Sequence, residues 1–112
     1  MKIYHNNRCS KSRQTLELLQ KNNAQVKEFN YLIEKIDANE LKFIILKLGI
    51  KAEQLIRKGE DIYKTNFKGK NLTDQEWIAA MIEHPKLIER PIVINGEKVA
   101  IGRPPENILA IL

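Results

Sequence analysis

The alternation of apolar and polar residues along the chain predicts strands and helices that are all short. Residues 2–4 predict a first strand, and a helix follows from a cap at Ser10 or Ser12 to about Asn22. Residues 26–31 alternate in polarity and predict a second strand. The chain therefore opens with a strand, a helix and a strand, which is the pattern of a parallel β-α-β unit with a right-handed connection.

Two capping boxes in the middle of the chain predict further helices. Residues 37–40 place a glutamate three positions after a capping aspartate, and the helix that they open spans residues 41–48 and ends at the next glycine. Residues 73–76 repeat this pattern and open a helix to about His84, which the following proline ends. Between these two helices, residues 53–58 predict a short helix that also ends at a glycine.

The C-terminal part of the chain predicts a β-hairpin and a last helix. Residues 92–94 and 98–101 are apolar segments rich in β-branched side chains, and Asn95-Gly96 between them is a strong signal for a hairpin turn. Pro104-Pro105 predicts the start of a last helix, because proline is tolerated in the first helical turn.

The order of these elements predicts an α/β fold with one four-stranded mixed sheet flanked by helices. The β-α-β unit supplies two parallel strands and the hairpin adds two antiparallel strands, with a helical insertion over about residues 37–84 between them. The length of 112 residues predicts a single domain, residues 1–112, whose hydrophobic core needs neither disulfides nor metal.

Composition and charge exclude several classes of protein. The net charge of +5 suits a solvated surface, an anionic substrate or an acidic partner. Basic and acidic residues alternate, and aromatic residues do not interleave with the basic ones as base stacking requires, so we expect no nucleic-acid binding. There is no apolar run of about 18 residues and no apolar leader after Met1, so we expect a cytoplasmic protein without membrane contact.

Cys9 is the only cysteine of the chain, so it cannot form an internal disulfide or a cysteine-rich zinc site, and we expect no bound metal. A lone cysteine is either a small buried core residue or a reactive thiolate. Its place between a strand and a helix favours the thiolate, because helix N-terminal N–H groups stabilise an anion, as do nearby Arg8, Lys11 and Arg13. Ser12 can donate a hydrogen bond to the sulfur, and we expect a thiol pKa of roughly 3.5–7.5.

The spacing of residues around Cys9 excludes two kinds of thiol site. A phosphatase-type loop places an arginine six positions after the cysteine, where this chain has Thr15; its arginine comes earlier, at Arg13. A redox Cys-x-x-Cys pair would have its second cysteine where Ser12 stands. Because Cys9 has no internal resolving thiol, an external thiol must release any adduct that it forms.

Four more basic residues could complete an anion site around the cysteine. His5 would favour the thiolate when it is protonated, or it is a strand-end histidine with no task. Arg57, Arg90 and Arg103 could converge to hold a tetrahedral oxyanion through paired N–H donors, or they are solvated surface residues. Arg90 and Arg103 each precede a proline, and a cis bond before Pro91 would turn the backbone sharply.

Five short motifs follow one another along the chain. They are I-Y-H-N at residues 3–6, C-x-x-S-R at 9–13, L-I-R-K at 55–58, H-P-x-L-I-x-R-P-I-V at 84–93 and G-R-P-P-E at 102–106. With these motifs the chain resembles the glutaredoxin-coupled arsenate reductases, a group that has a thioredoxin-like fold and also holds the Spx-type regulators. The resemblance covers nearly the whole chain and implies a thioredoxin-like sheet with a helical insertion.

The resemblance also implies a site and a reaction. The implied site residues are Cys9 as nucleophile, His5 and Ser12 as thiolate-stabilising residues, Arg57, Arg90 and Arg103 as oxyanion-binding residues, and Pro91 as a cis-proline. In the implied reaction the thiolate attacks arsenate and displaces an oxygen as water, and glutathione then attacks and reduces the thiol-bound arsenic. Glutaredoxin takes up the glutathione, and arsenite leaves. Glutathione is thus a co-substrate, glutaredoxin is the protein partner, no cofactor is bound, and a monomer suits this docking.

The chain departs from the proven reductases beside the cysteine and resembles most a C-S-K-S-R branch. Asn7 replaces a proline, Ser10 replaces a glycine and loses its access to positive φ, and Lys11 adds a charge. Two alternative functions therefore stay open. One is another glutathione-dependent thiol oxidoreductase on the same site. The other is an RNA-polymerase-binding regulator of the Spx type, against which Ser12 argues because that branch usually has a Cys-x-x-Cys pair there.

Overall fold

The computed structural model of the protein describes residues 1–6, 9–22 and 24–112. The chain forms two compact units: unit 1 comprises Met1–Glu34 and Arg90–Leu112, and unit 2 comprises Lys35–Glu89. The helical insertion predicted over residues 37–84 lies within unit 2, and the predicted sheet lies in unit 1.

Unit 1 contains the four-stranded mixed sheet that the sequence predicts. Its strands are β1 (Lys2–His5), β2 (Lys27–Asn30), β3 (Ile92–Asn95) and β4 (Lys98–Ile101). They lie in the order β2-β1-β3-β4, with β1 parallel to β2 and β3 antiparallel to both β1 and β4. The apolar strands β1 and β3 are central, while the charged strand β2 lies at an edge, where polar side chains discourage pairing with other chains.

One α-helix and one 3₁₀ helix complete unit 1. The helix α1 (Ser10–Lys21) packs against a C-terminal 3₁₀ helix (Pro105–Ile111), which also packs on β4. These elements and the sheet share a core of small and medium aliphatic side chains: Ile3, Leu19, Val93, Ala100, Ile108 and Ile111. Burial of this apolar surface is the main source of stability for such a unit.

Two predictions for the helices of unit 1 are wrong in detail. The N-cap residue of α1 is Cys9, whereas Ser10 is the first helical residue and Ser12 is buried in the first turn, so neither serine caps the helix. The last helix, predicted from Pro104-Pro105, is a 3₁₀ helix over Pro105–Ile111 and not an α-helix. Proline in the first turn suits either kind of helix, so the sequence signal could not distinguish them.

The β3–β4 hairpin forms as predicted, but its turn comes one residue later. Gly96 and Glu97 form the turn, and Gly96 takes the left-handed conformation at φ 63° that glycine adopts without strain. Asn95 stays in β3, where it pairs with Lys98. Its side-chain Nδ2 donates to the carbonyl of Ile111 at 2.6 Å, which ties the hairpin to the C-terminal 3₁₀ helix.

Unit 2 is helical. Its α-helices are α2 (Ala38–Leu48), α3 (Asp61–Asn66) and α4 (Asp74–Glu83), and α2 packs against α4. The longest helix of the described residues is α1, with 12 residues. No helix in this described part of the chain is long and apolar enough to cross a membrane.

The two predicted caps of unit 2 are present. Asp37 accepts a hydrogen bond from the Glu40 backbone N–H at 2.8 Å, and α2 ends at Gly49 in the left-handed conformation. Thr73 and Glu76 form a complete capping box, in which each side chain accepts from the backbone N–H of the other residue at 3.2 and 3.0 Å. These short-range signals were readable from sequence because both partners lie within one helical turn.

The helix predicted over residues 53–58 is wrong. A 3₁₀ helix (Ala52–Leu55) is followed by an extended Ile56, which forms an antiparallel bridge with Ile88 just after a second 3₁₀ helix (Pro85–Leu87). The bridging partner is distant in sequence, so local propensity could not reveal it. The short helix α3 was not predicted, and no side-chain cap marks its start.

Candidate active site

The topology of the sheet brings four chain segments together where its strands begin or end, on one side of unit 1. The parallel strands β1 and β2 end on this side, β3 begins there because it is antiparallel to β1, and β4 ends there because it is antiparallel to β3. The residues that follow or precede these strand ends are Cys9, Tyr31, Arg90 and Arg103. An edge where strands end is the usual place for a ligand site in an α/β sheet.

Cys9 connects β1 to α1 and is half-buried. Its backbone N–H donates to the carbonyl of Asn6 at 2.9 Å, and its own carbonyl accepts the N–H of Arg13 at 3.1 Å, the first hydrogen bond of the helix. The thiol therefore stands at the N-terminus of α1, where unpaired N–H groups and the helix dipole favour a negative charge.

Arg103 contacts the cysteine directly. Its Nη2 donates to Cys9 Sγ at 3.3 Å, and its Nε donates to the carbonyl of Arg90 at 2.6 Å. The second bond fixes the plane of the guanidinium, so one edge is held by the backbone while the other faces the sulfur. The hairpin register explains the pairing: Gly102 N–H donates to the carbonyl of Pro91 at 2.9 Å, which continues the β3–β4 pairing towards the two arginines.

Arg90 is held by Tyr31, which no sequence motif marks as a site residue. Its Nη1 donates to the hydroxyl of Tyr31 at 3.0 Å, and Tyr31 is buried with 1 % of its surface exposed. Burial lowers the pKa of Arg90, but the Tyr31 hydroxyl and Cys9 raise it above its ordinary value, so the guanidinium stays charged. In the sequence, Tyr31 only ends a segment of alternating polarity, and this pattern does not reveal a hydrogen-bond partner.

The environment lowers the pKa of the Cys9 thiol. Burial alone would raise this pKa, but the Ser12 backbone N–H, the Arg90 side chain, the Ser12 hydroxyl and the Lys11 backbone N–H outweigh burial and lower it to about 7. The contact with Arg103 acts in the same direction, because a fixed cation favours the charged form of the thiol. Near neutral pH a large fraction of Cys9 is therefore the nucleophilic thiolate.

His5 and Ser12 were both predicted to stabilise the thiolate, and the structure places them differently. Ser12 is fully buried, accepts the Asn6 N–H on Oγ at 3.3 Å and acts on Cys9 through both its backbone and its hydroxyl. His5 is 3 % exposed at the end of β1, and its Nε2 lies 3.2 Å from Glu28 Oε1. The role of His5 towards the thiolate stays a prediction.

Arg57 belongs to unit 2. Its side chain is flanked by two carboxylates, with Nε 3.9 Å from Glu60 Oε2 and Nη1 3.9 Å from Glu89 Oε1. Its backbone N–H donates to the carbonyl of Leu87 at 2.7 Å beside the Ile56 bridge, which fixes the main chain at this position. The oxyanion-binding role of Arg57 stays a prediction.

Close packing behind the site fixes the hairpin against α1. A Cβ atom on Gly102 would lie 2.8 Å from Pro91 Cγ and 2.9 Å from Thr15 Cγ2, so only glycine fits there. Thr15 Oγ1 donates to the carbonyl of Gly102 at 3.4 Å. The peptide bonds before Pro91 and Pro104 are both cis, the first as the sequence indicated.

The residues at which the chain departs from the proven reductases can be placed in part. Asn7 and Arg8 lie outside the described residues. Ser10 is the first helical residue of α1, where the right-handed conformation suits serine as well as glycine, so its lack of access to positive φ has no cost at this position. Lys11 is half-buried and acts on the sulfur through its backbone N–H.

The described residues hold no candidate metal centre: nowhere in 1–6, 9–22 and 24–112 do three or more His, Cys, Asp or Glu side chains come together as metal ligands would. The functional groups that the site does present are a thiolate, two guanidiniums, a phenol and a serine hydroxyl. This set can bind an oxyanion and attack it with sulfur.

Comparison with known proteins assigns the chain to a family. The ArsC family model matches residues 4–111, and the chain belongs to the ArsC family. An arsenate reductase from Haemophilus influenzae is 48 % identical over 112 residues, covering 98 % of this chain and 97 % of that protein. The uncharacterised protein YfgD from Escherichia coli is 46 % identical over 114 residues, covering 100 % of this chain and 96 % of that protein.

A solved structure of an arsenate reductase from Vibrio cholerae has the same fold. It superposes with a TM-score of 0.93 at 43 % sequence identity, covering 100 % of this chain and 98 % of that one. The fold is therefore the thioredoxin-like α/β fold of this family, as the motifs at residues 3–6, 9–13, 84–93 and 102–106 indicated.

Proposed function

We propose that the protein is an enzyme that reduces arsenate to arsenite, with Cys9 as the nucleophile. The observation that carries the proposal is the 3.3 Å contact between Arg103 Nη2 and Cys9 Sγ, in a guanidinium whose Nε is held by the backbone carbonyl of Arg90. A thiolate with a lowered pKa beside two fixed cations is what attack on a tetrahedral oxyanion requires. Relatives that are named arsenate reductases, at 43–48 % identity over nearly the full chain, support the same substrate.

The two arginines of unit 1 give the oxyanion a place to bind. A guanidinium presents paired N–H donors in a plane, which matches the oxygen spacing of a tetrahedral oxyanion. The Arg103 and Arg90 side chains are already oriented, by the Arg90 carbonyl and the Tyr31 hydroxyl, so little side-chain entropy is lost on binding. Arg57 is proposed as a third oxyanion-binding residue.

The chemistry divides between Cys9 and external thiols. The thiolate forms a sulfur–arsenic bond and one arsenate oxygen leaves as water after protonation. The arsenic then takes up two electrons, which come from two external thiols that end as one disulfide. We propose glutathione and glutaredoxin as these thiols, because Cys9 is the only cysteine of the chain. Water then hydrolyses the bond between sulfur and the reduced arsenic, so that arsenite leaves and Cys9 returns to the thiolate.

This reaction sets the conditions under which the protein would work. It needs reduced thiols, which are abundant in the cytoplasm, and we propose that compartment. Neither a bound cofactor nor a metal is required, because the electrons come from the thiol co-substrates. A monomer would leave the sulfur accessible to glutaredoxin.

The test is release of arsenite from arsenate in the presence of glutathione, glutaredoxin and a system that reduces the disulfide. We expect turnover with the wild-type protein and none with Cys9→Ser. If the wild type releases no more arsenite than Cys9→Ser, arsenate is not the substrate. Mixed-disulfide formation between Cys9 and glutathione, measured by intact mass, would in that case point to another thiol oxidoreductase.

A further inference from the structure

A buried imidazole lies next to the candidate active site and contacts a residue of the neighbouring strand. His5 is 3 % exposed, and its Nε2 lies 3.2 Å from Oε1 of Glu28, whose side chain is 49 % exposed. A carboxylate only accepts hydrogen bonds, so in a hydrogen bond across this distance His5 Nε2 is the donor. In the part of the chain that the structure describes, His5 Nδ1 is buried and makes no hydrogen bond. Glu28 is therefore the polar group that holds this imidazole in place.

The residue after His5 connects this pair to the thiol. The Asn6 backbone N–H donates to Ser12 Oγ at 3.3 Å, and the Asn6 carbonyl accepts the N–H of Cys9 at 2.9 Å. The Ser12 hydroxyl oxygen accepts from Asn6, so the hydroxyl proton is available to the sulfur of Cys9. The position of Asn6 thus decides whether that hydroxyl is aimed at the thiolate.

We propose that Glu28 is a positioning residue of the thiolate site. By holding the His5 imidazole, the Glu28 carboxylate fixes the end of β1, and with it the Asn6 amide that orients the Ser12 hydroxyl towards Cys9. Glu28 acts on Cys9 through this chain of contacts and does not touch the sulfur. The inference rests on Cys9 reacting as a thiolate, as the proposed function does, but it does not depend on arsenate.

The direction in which the Cys9 pKa shifts when Glu28 is replaced distinguishes a positioning role of Glu28 from an effect of its charge. On β2, Lys27 and Glu28 are charged, whereas the facing strand β3 carries no charged side chain. Among the described residues, Arg103 contacts the sulfur and the Arg90 side chain acts on it, while Lys11 and Arg13 lie within four residues of Cys9 on α1. Removing the negative charge of Glu28 would, through Coulomb interaction alone, favour the thiolate and lower the Cys9 pKa. Loss of positioning would raise it.

The experiment measures the rate of Cys9 alkylation by iodoacetamide against pH, without arsenate or glutathione. The variants are Glu28→Gln, Ser12→Ala, the two combined, and Glu17→Gln as a control that removes one exposed carboxylate from α1. Glu28→Gln replaces a carboxylate acceptor with a neutral and weaker one, so we expect it to raise the midpoint by roughly half a pH unit and Glu17→Gln to leave the midpoint unchanged. In the Ser12→Ala background, Glu28→Gln should have no further effect.

Two outcomes would overturn the proposal. A midpoint that falls or stays the same in Glu28→Gln would mean that the carboxylate acts by charge alone or not at all. An equal rise in the Ser12→Ala background would mean that the effect does not pass through the serine hydroxyl. Glu28→Asp is the second variant, because it keeps the charge and shortens the reach; we expect its midpoint to rise as well. Circular dichroism and the unfolding midpoint establish that each variant is folded.

These results are independent of the substrate. If the protein releases no arsenite but Glu28→Gln shifts the alkylation midpoint as expected, the proposed function fails and the role of Glu28 stands. If arsenite is released but Glu28→Gln does not move the alkylation midpoint, the proposed function stands and the role of Glu28 fails.

Discussion

Arg103 donates a hydrogen bond from Nη2 to Cys9 Sγ at 3.3 Å, joining two residues that are 94 positions apart in the chain. The contact brings the end of the C-terminal hairpin to the N-terminus of α1 and makes one guanidinium a neighbour of both the nucleophile and the proposed oxyanion site. A guanidinium stays protonated throughout the range in which a thiol titrates. Arg103 is therefore a constant positive charge beside a group whose own charge changes with pH.

Arg103→Ala should raise the pKa of Cys9. Loss of a charge-assisted hydrogen bond to the thiolate should move the alkylation midpoint up by about one pH unit, towards the free-thiol value of about 8.5. Alkylation rate against pH measures this. Lys21→Ala, which removes an exposed charge from the last turn of α1, is the control and should leave the midpoint unchanged. A midpoint unaffected by Arg103→Ala would contradict the contact.

The wild-type protein should show a pH-dependent stability that depends on Cys9. The pKa of the thiol is lowered to about 7 in the folded protein and is about 8.5 in an unfolded chain. The thiolate therefore stabilises the fold above pH 8.5 or so, and this contribution is lost as the pH falls through about 7. Urea unfolding of wild type and Cys9→Ser at pH 6 and pH 9 should show the wild type relatively more stable at the higher pH.

Tyr31→Phe should lower the activity towards arsenate more than it lowers the free energy of unfolding. The variant keeps the buried ring but removes the hydroxyl that accepts from Arg90 Nη1 at 3.0 Å, so the guanidinium loses its orientation. We expect kcat/KM for arsenate to fall by about tenfold, as for other hydrogen bonds to a charged group. Tyr63→Phe, which removes a hydroxyl from unit 2, is the matched control. Equal losses in the two variants would argue against a role for Tyr31 in the site.

Gly102→Ala should destabilise the protein. The added methyl group would lie within 3 Å of the Thr15 and Pro91 side chains, and overpacking of this kind costs about 1–3 kcal/mol. The free energy of unfolding from urea titration measures the loss. Gly59→Ala is the matched control, because a Cβ at that position meets nothing within 4 Å. Similar stability of the two variants would mean that the Thr15 contact is easily relieved.

Arg57→Ala tests the third arginine. Its two ion pairs, to Glu60 and Glu89, are both 3.9 Å long and partly exposed, so their loss should cost less than about 1 kcal/mol of folding free energy. If Arg57 binds the oxyanion, kcat/KM for arsenate should fall by more than about tenfold. Lys58→Ala, at the exposed next residue, is the control. A loss of activity no larger than that of the control would assign Arg57 a structural role only.

The parts of the site that the sequence predicted are those with a local signal. Cys9 could be placed at a helix N-terminus from the strand and helix patterns around it, and Arg90 and Arg103 could be placed at the ends of a hairpin whose turn was recognisable. The residues at positions 12 and 15 argued against an internal dithiol and a phosphatase-type loop.

The parts that the sequence missed depend on contacts between distant segments. Tyr31 and Glu28 looked like ordinary strand residues. The pairing of β1 with β2 brings Glu28 beside His5, and this pairing together with that of β1 with β3 brings Tyr31 beside Arg90. The helix predicted over residues 53–58 failed for the same reason, because Ile56 is extended by pairing with a distant segment. Local propensity has no information on which segments will pair.

The β3–β4 hairpin decides which two arginines stand next to each other. Ile92 pairs with Ile101, and the same register continued by two residues on each strand places Arg90 opposite Arg103. A shift of this register by one residue would separate the two guanidiniums without altering either side chain. The pairing of β3 with β4 is therefore a requirement of the chemistry along its whole length, including the end at Gly96 that is furthest from the sulfur.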